Sequence, residues 1–413
     1  MSDTPDPLLW QEFLAVCDCG GRQSGTASER AAVALLHRLG AAATGTPARV
    51  AATPYGGWTA TRAELRDATG SVHPITALLR SAPTPPGGVA LELVDLGRGT
   101  EEDFRAHADA IPGRAVMVRH ELMFATDTVH RRFKYGWAVA HGAAAFLIVG
   151  PAEGSGVSGS SGRGAEPGIP AAGIAPQVAR ALLDTPDARP RLHLRIDTDE
   201  GPASADNLFF DMPGAGPEWV VLSAHLDGHA LGESAIDNAS GVAAALAVAR
   251  ALAPGMAARR RGLRLAFFNV EEWALTGSAD HVAGLDTEAR AAIALNVNLD
   301  SVVGGGLTAL TSGFAGLEPF LRDCAARAGV PLGLHRPLQR NSDHANFAEA
   351  GIPAFRLVAG FDDPQAETRL VLTRFDTRDR ATPGGLAVAA RLATAITAAA
   401  LDAPPQDTAA WRG

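Results

Sequence analysis

Apolar positions along the chain change their period several times, and each change predicts a different element. Between Leu8 and Leu39 they recur every three or four residues, which predicts helix. The run Gly20-Gly21-Arg22-Gln23-Ser24-Gly25-Thr26 interrupts this pattern and predicts a turn before a second helix. After the punctuation Ala82-Pro83-Thr84-Pro85-Pro86-Gly87-Gly88, short continuous apolar runs take over. Val89 to Leu96 and Ala115 to Arg119 read as strands, Phe133 to Gly142 as a helix, and Ala143 to Val149 as a buried strand. Gly154 to Gly168, rich in Gly and Ser, reads as a flexible loop, and Ile169 to Ile174 re-enters structure.

From Trp219 onward strands and helices alternate. Strands are expected at Trp219 to Ala224, Leu263 to Val270, Ile293 to Leu299, Leu307 to Leu310 and Ala354 to Val358. Helices are expected at Ser240 to Leu252, Leu317 to Ala328 and Leu386 to Leu401. Such alternation predicts an α/β sandwich on a mixed, mostly parallel sheet, whose ligand sites lie beyond the carboxyl ends of the strands. The domains expected are a catalytic domain over 1–78 and 199–413 and a smaller β-rich insertion over 79–198.

Composition narrows the partners. The 413 residues are 46% hydrophobic, enough for a sizeable core, and the net charge of -9 argues against nucleic acid or an anionic membrane. The densest basic cluster, Arg259 to Arg261, is expected to be a solvated turn. Cys17, Cys19 and Cys324 make no disulfide framework, and the Cys17–Cys19 spacing does not suit zinc. Met1 to Pro7 carries neither a basic nor an apolar region, and no apolar run is expected to reach membrane-span length, so the expected location is cytoplasmic. The oligomeric state stays open, a homo-oligomer included.

Polar residues gather where the strands end. His225-Leu226-Asp227 follows the first strand of the alternating region, and Asp237-Asn238-Ala239-Ser240-Gly241 leads into the next helix. Glu271-Glu272 follows the second strand, Asp300 the third, and Ser342-Asp343-His344 occupies a later loop. Each alone has an ordinary explanation: a loop histidine, a turn, or a helix cap. Together they match zinc, which takes His nitrogen and carboxylate oxygen at roughly 2.0–2.2 Å. Two zinc ions about 3.5–4 Å apart need a bridging carboxylate, and a neighbouring carboxylate outside the ligand set can act as general base. The adjacent pair Glu271-Glu272 offers one residue for each task.

In order, these motifs resemble the co-catalytic di-zinc aminopeptidases, a family that includes glutamate carboxypeptidase-like enzymes. The similarity rests on His225-Leu226-Asp227, Asp237-Asn238-Ala239-Ser240-Gly241, Glu271-Glu272 with Thr276-Gly277-Ser278, Asn298-Leu299-Asp300, and Ser342-Asp343-His344 with Gly351-Ile352-Pro353. The resemblance implies a three-layer α/β/α zinc exopeptidase-like sandwich. It also implies two zinc ions per chain and a peptide or small amide substrate. Asp237 would bridge, His225 and Asp300 would complete one site, and Glu272 and His344 the other. Glu271 would be the general base, and Asp227 would orient His225. The insertion resembles a protease-associated domain at Gly113 to Val118, Gly142 to Val149 and Ile169 to Ile174.

Two positions depart from the pattern. The family often has a His-Thr pair shortly before Asp-Thr, whereas here Leu372-Thr373-Arg374-Phe375 precedes Asp376-Thr377, which bears on the substrate pocket. His229 is an extra histidine, expected to be a polar loop residue. Arg374 and Arg378 are the basic residues available to a substrate carboxylate. The rival activities are a one-zinc glutaminyl cyclase-type transferase, a carboxypeptidase or a small-molecule amidase.

Overall fold

The computed structural model describes residues 7–184 and 189–412. Most of the Met1 to Pro7 stretch therefore lies outside the described residues. The chain forms two units, one comprising 1–55, 204–371 and 376–413, the other 56–203 and 372–375.

In the larger unit the strand order is Gly333–His335, Leu307–Leu310, Ala354–Ala359, Ile293–Leu299, Trp219–His225, Gly262–Phe268, then the end of Arg191–Met212. The four central strands run parallel. Leu307–Leu310 is antiparallel to Ala354–Ala359, and residues 208–212 are antiparallel to Gly262–Phe268. The sheet is therefore mixed and mostly parallel, as the alternation predicts.

Strand alternation divides the core into two sides. Phe209, Val221, Ala266 and Phe268 share one face and pack with Val282 of helix Thr276–Ala283 and Phe347 of helix His344–Glu349. Their chain neighbours Phe210 and Phe267 meet on the other face, with ring centroids 6.3 Å apart. There Gly40 of helix Ala27–Thr44 lies against the Phe210 ring, and helix Ser240–Leu252 crosses the three central strands. This gives three layers. Ser240–Leu252 is rich in Ala and Val and almost wholly buried, so it lies close to both the sheet and its neighbouring helices.

The smaller unit has its own sheet. Ala115–Arg119, Ala145–Val149 and Ala171–Ile174 are successive parallel neighbours, flanked by Val89–Asp95 and Ile75–Ala77. Helices Glu101–Ala106, Arg131–Ala140 and Pro176–Leu183 accompany it, so the unit is less purely β than expected.

Several expectations change. The unit boundaries fall at 55/56 and 203/204 rather than 78/79 and 198/199. The chain crosses between units inside two long strands, Arg49–Asp67 and Arg191–Met212, and no loop composition marks those points. The first is largely exposed, so it lacks the apolar alternation that announces a strand. Residues 154–168 form a loop, but Val157, Ser158 and Ser161 are buried, and the Ser158 amide donates to the Leu372 carbonyl at 2.8 Å. The helix expected from Leu386 begins at Pro383, because the Thr382 hydroxyl caps it by accepting from the Gly385 amide, and a further helix, Pro405–Trp411, follows it.

Two helical stretches, Ala235–Leu252 and Pro383–Asp402, are long and apolar enough by length and composition to cross a membrane. Their apolar windows are 89% and 56% buried within the protein, which is the environment of core helices.

The Arg259–Arg261 cluster is not uniformly solvated either. Arg261 is fully buried; its guanidinium donates to the carbonyls of Ala400 and Ala403 and pairs with Glu218 at 2.9 Å. It joins the start of strand Gly262–Phe268 to the end of the terminal helix. Arg261→Ala should leave those carbonyls unpaired and cost about 2–4 kcal/mol. Arg260→Ala, at an exposed position, should cost less than about 0.5 kcal/mol. Thermal or urea denaturation of the two variants checks the difference.

Candidate metal centre

Parallel register brings three strand ends to one edge of the sheet. His225 is the last residue of its strand and pairs with Phe268, while Ser223 pairs with Asn298. Residues one to four positions beyond Phe268 and Leu299 therefore converge on His225. A buried polar ladder supports this edge. Asn296 Nδ2 donates to Ser223 Oγ at 2.9 Å, Ser223 Oγ to Asn298 Oδ1 at 2.8 Å, and Asn298 Nδ2 to Ser342 Oγ at 2.6 Å.

The turns leaving the strands are conformationally tight. Val270, Ser301 and Ser234 have φ of 52°, 57° and 47°, each beside a polar cluster. A left-handed conformation costs a non-glycine residue roughly 1–3 kcal/mol, and such positions concentrate at functional sites. The Asp237–Asn238 peptide bond is cis. Asn238 ties the helix start to the neighbouring strand end. It donates to the Leu299 carbonyl at 2.9 Å and accepts from the amides of Gly241 and Ser301. Position 241 must be glycine-sized, since a Cβ there would lie 2.2 Å from the Leu299 oxygen.

His225 Nε2 lies 3.0 Å from Asp237 Oδ1 and 3.5 Å from Asp300 Oδ1. Tetrahedral zinc with bonds of about 2.0–2.1 Å sets its ligand atoms about 3.3 Å apart, so these three atoms have metal-ligand spacing. His225 Nδ1 faces the Asp227 carbonyl at 3.2 Å, which puts the proton on Nδ1 and leaves Nε2 as the ligand atom. The Asp227 carboxylate sits 3.7 Å from Nδ1 and mainly accepts from the backbone amides of Glu271 and Glu272, at 3.1 and 3.2 Å. It thus holds the acidic pair as well as facing the histidine. Glu271, Glu272 and His225 form a second group with metal-binding spacing.

The third group is His229, Asp237 and Glu272. His229 Nε2 lies 2.5 Å from Glu272 Oε1 and 4.0 Å from Asp237 Oδ2. The two oxygens of Asp237 therefore face two different imidazoles. His229 lies in a loop, as expected, but is buried, at 1% exposure. An imidazole four residues beyond His225 was the only signal of this role in the sequence. His344 joins none of these groups. It opens a short helix, both ring nitrogens are buried without a hydrogen-bond partner, and burial together with the Arg356 charge lowers its pKa to about 3.

Charge explains what the site needs. Burial raises the pKa values of Glu271 and Glu272, and raises that of Asp343 to about 7, with neighbouring carboxylates adding to the effect. Burial also opposes the positive charge on His225 and His229, but the surrounding carboxylates outweigh it; His229 is raised to about 9. Asp237 is the exception, held low despite burial by the two histidines. The Arg356 guanidinium meets Asp300 Oδ1 at 3.2 Å. A buried cluster so rich in carboxylates, with both ring nitrogens of His344 buried and unpartnered, fits divalent cations with His and carboxylate ligands.

Two residues outside the strand ends complete the frame. Asp376 accepts from the amides of Ile236 at 2.7 Å and Asp237 at 3.2 Å, so it fastens the Asp237 loop. Burial raises its pKa to about 7. Arg22 is fully buried and donates to the carbonyls of Leu226, Glu233 and Ser234 at 2.8–3.0 Å, which gives the Gly20 to Thr26 motif a structural role. Arg378 is engaged by Glu233 and Asp18. Arg374 lies over the Phe375 ring, 5.8 Å from its centroid.

Residues 207–397 match Peptidase family M28. Over 176 residues the chain is 32% identical to leupeptin-inactivating enzyme 1 of Streptomyces exfoliatus, covering 41% of this chain and 39% of that protein. It is 28% identical over 293 residues to aminopeptidase YwaD of Bacillus subtilis, covering 70% and 61%. The chain thus spans less than two thirds of either relative. Its fold is similar to that of BSAP, a zinc aminopeptidase from Bacillus subtilis, with a TM-score of 0.76 at 22% identity, covering 96% of this chain and 95% of that one.

Removing the Asp376 clamp tests the frame of the site. Asp376→Ala orphans two buried amides and should cost about 2–4 kcal/mol. Asp376→Asn, which keeps one acceptor oxygen, should recover part of that loss in the same denaturation measurement.

Proposed function

We propose that the chain, whose residues 207–397 match Peptidase family M28, is a zinc-dependent aminopeptidase that holds two ions around Asp237. The observation that carries this reading is the Asp237 carboxylate, whose two oxygens face the imidazoles of His225 and His229 with Glu271 and Glu272 alongside. His225, Asp237 and Asp300 would form one ligand set, and Asp237 and Glu272, with His344 as the resemblance implies, would form the other. When bound, zinc supplies Lewis acidity that acidifies water and polarises a carbonyl oxygen.

The chain's own residues do the rest. Glu271 shares a metal-spaced group with His225 and Glu272; as the member that the resemblance leaves out of both ligand sets, it is placed to take a proton from the attacking water. Burial raises its pKa, which suits a carboxylate that accepts that proton and passes it to the leaving amine. Asp227, by binding the amides of Glu271 and Glu272, keeps base and ligand at fixed separation. The names of the relatives support hydrolysis at an amino terminus over carboxypeptidase, amidase or cyclase chemistry. In the smaller unit, the three stretches that resemble a protease-associated domain become three adjacent parallel strands, which supports a unit of that kind without a part in the chemistry.

Glu271→Gln should retain the wild-type zinc content and lose activity by about 100-fold or more. Chelation should abolish hydrolysis of aminoacyl-nitroanilides, and added zinc should restore it. Substrates with an acylated amino terminus should resist cleavage. Turnover of blocked peptides, or an active Glu271→Gln enzyme, would reject the reading.

A further inference from the structure

We infer that Glu29 is a positioning residue for the acidic pair: through Asn269 and Ser24 it fixes the Asp227 carboxylate and the turn that carries Glu271 and Glu272. This rests on the aminopeptidase reading above, which gives that pair its chemical tasks.

Glu29 lies in the first turn of helix Ala27–Thr44 and is only 5% exposed. A carboxylate withdrawn from water needs a directed donor. Glu29 finds one in Asn269, the residue that follows strand Gly262–Phe268. Asn269 Nδ2 donates to Glu29 Oε1 at 2.6 Å, with the Asp206 carbonyl farther away at 3.4 Å. A side-chain amide has one donor end and one acceptor end, so this bond decides which way Asn269 faces. Its Oδ1 is turned to the other side, where it accepts from the Val270 amide at 2.9 Å and from Ser24 Oγ at 3.2 Å. Ser24 Oγ is equally close, at 3.2 Å, to Asp227 Oδ2. Ser24, Glu29, Asn269 and Asp227 are all buried, so no solvent competes for these bonds.

Two paths lead from Asn269 to the acidic pair. The first is the backbone. Val270 is left-handed, and Glu271 and Glu272 follow it directly, so the bond from its amide to Asn269 Oδ1 braces the turn that aims them. The second runs through Ser24. Its hydroxyl meets the same Asp227 oxygen that accepts the Glu272 amide, while the other oxygen accepts the Glu271 amide. A shift of Asp227 therefore moves both glutamates. Without the Glu29 carboxylate the Asn269 amide is free to turn over. That puts a donor opposite the Val270 amide and disturbs both paths together. Glu29 and Ser24 thus act on the site from the start of the chain, as Arg22 does on the Asp237 loop.

The test uses the full chain and the aminoacyl-p-nitroanilide that the wild type cleaves fastest. kcat and KM are measured at saturating zinc, and the zinc dissociation constant by competition with a chelator. Glu29→Ala and Ser24→Ala should each lower kcat by about 10-fold or more, keep KM within about two-fold, and weaken zinc by about 10-fold. Glu29→Gln keeps an acceptor for Asn269 and should return kcat to within about three-fold of wild type. Leu36→Ala empties a buried core position two turns along the same helix. It should lower the melting temperature and leave kcat unchanged.

Wild-type kcat in both Glu29→Ala and Ser24→Ala would overturn the inference, as would a loss in Glu29→Ala that Glu29→Gln does not recover. An equal fall of kcat in Leu36→Ala would also overturn it, by making helix stability the cause. In each of these cases a wild-type chain that binds zinc and cleaves the anilide leaves the aminopeptidase reading standing. A wild-type chain that does neither would overturn both.

Discussion

The structure is organised around a concentration of negative charge that water cannot reach. Asp227, Asp237, Glu271, Asp300, Asp343 and Asp376 are all buried in one unit, and Glu272 keeps only a tenth of its side chain exposed. Carboxylates removed from water need directed donors or cations. The fold supplies backbone amides to Asp227 and Asp376, a guanidinium to Asp300, and imidazoles to Asp237 and Glu272. What remains uncompensated lies between the two histidines, where metal chemistry belongs. The glycine at 241, the left-handed turns at Val270 and Ser301, and the polar ladder beneath the strand ends all serve to hold that charge in one place.

The same constraint explains what could be read from the chain. Strands Ile293–Leu299 and Leu307–Leu310 and helices Ser240–Leu252 and Leu317–Ala328 match expectation to the residue: the first three are buried along almost their whole length, and the last buries one face through Leu317, Leu321, Cys324 and Ala325. His225, Asp237, Glu271, Glu272 and Asp300 were visible because parallel strands deliver their last residues to one edge, so position in the pattern stands in for position in space. Strand Arg49–Asp67 was not visible, since its exposed face gives no alternation and its two glycines and proline read as breaks.

The histidines show where pattern stops being sufficient. His344 sits in a motif and is buried; His229 sits in a loop and is buried as well, which no local pattern announces. Its burial goes with Gly21 and Arg22, some two hundred residues earlier, which pack against and tie that loop. Long-range packing of this kind leaves no local signature. The same holds for Asp376, which the sequence associated with substrate and the structure associates with two amides of the Asp237 loop.

The Asp237 loop is anchored by Arg22 near one end of the chain and Asp376 near the other. A nascent polypeptide that has emerged only as far as the Asp300 strand already contains most of the acidic and imidazole donors. It still lacks the carboxylate that pins Ile236 and Asp237. The Asp237 loop therefore gains its full set of contacts only once residue 376 has been synthesised.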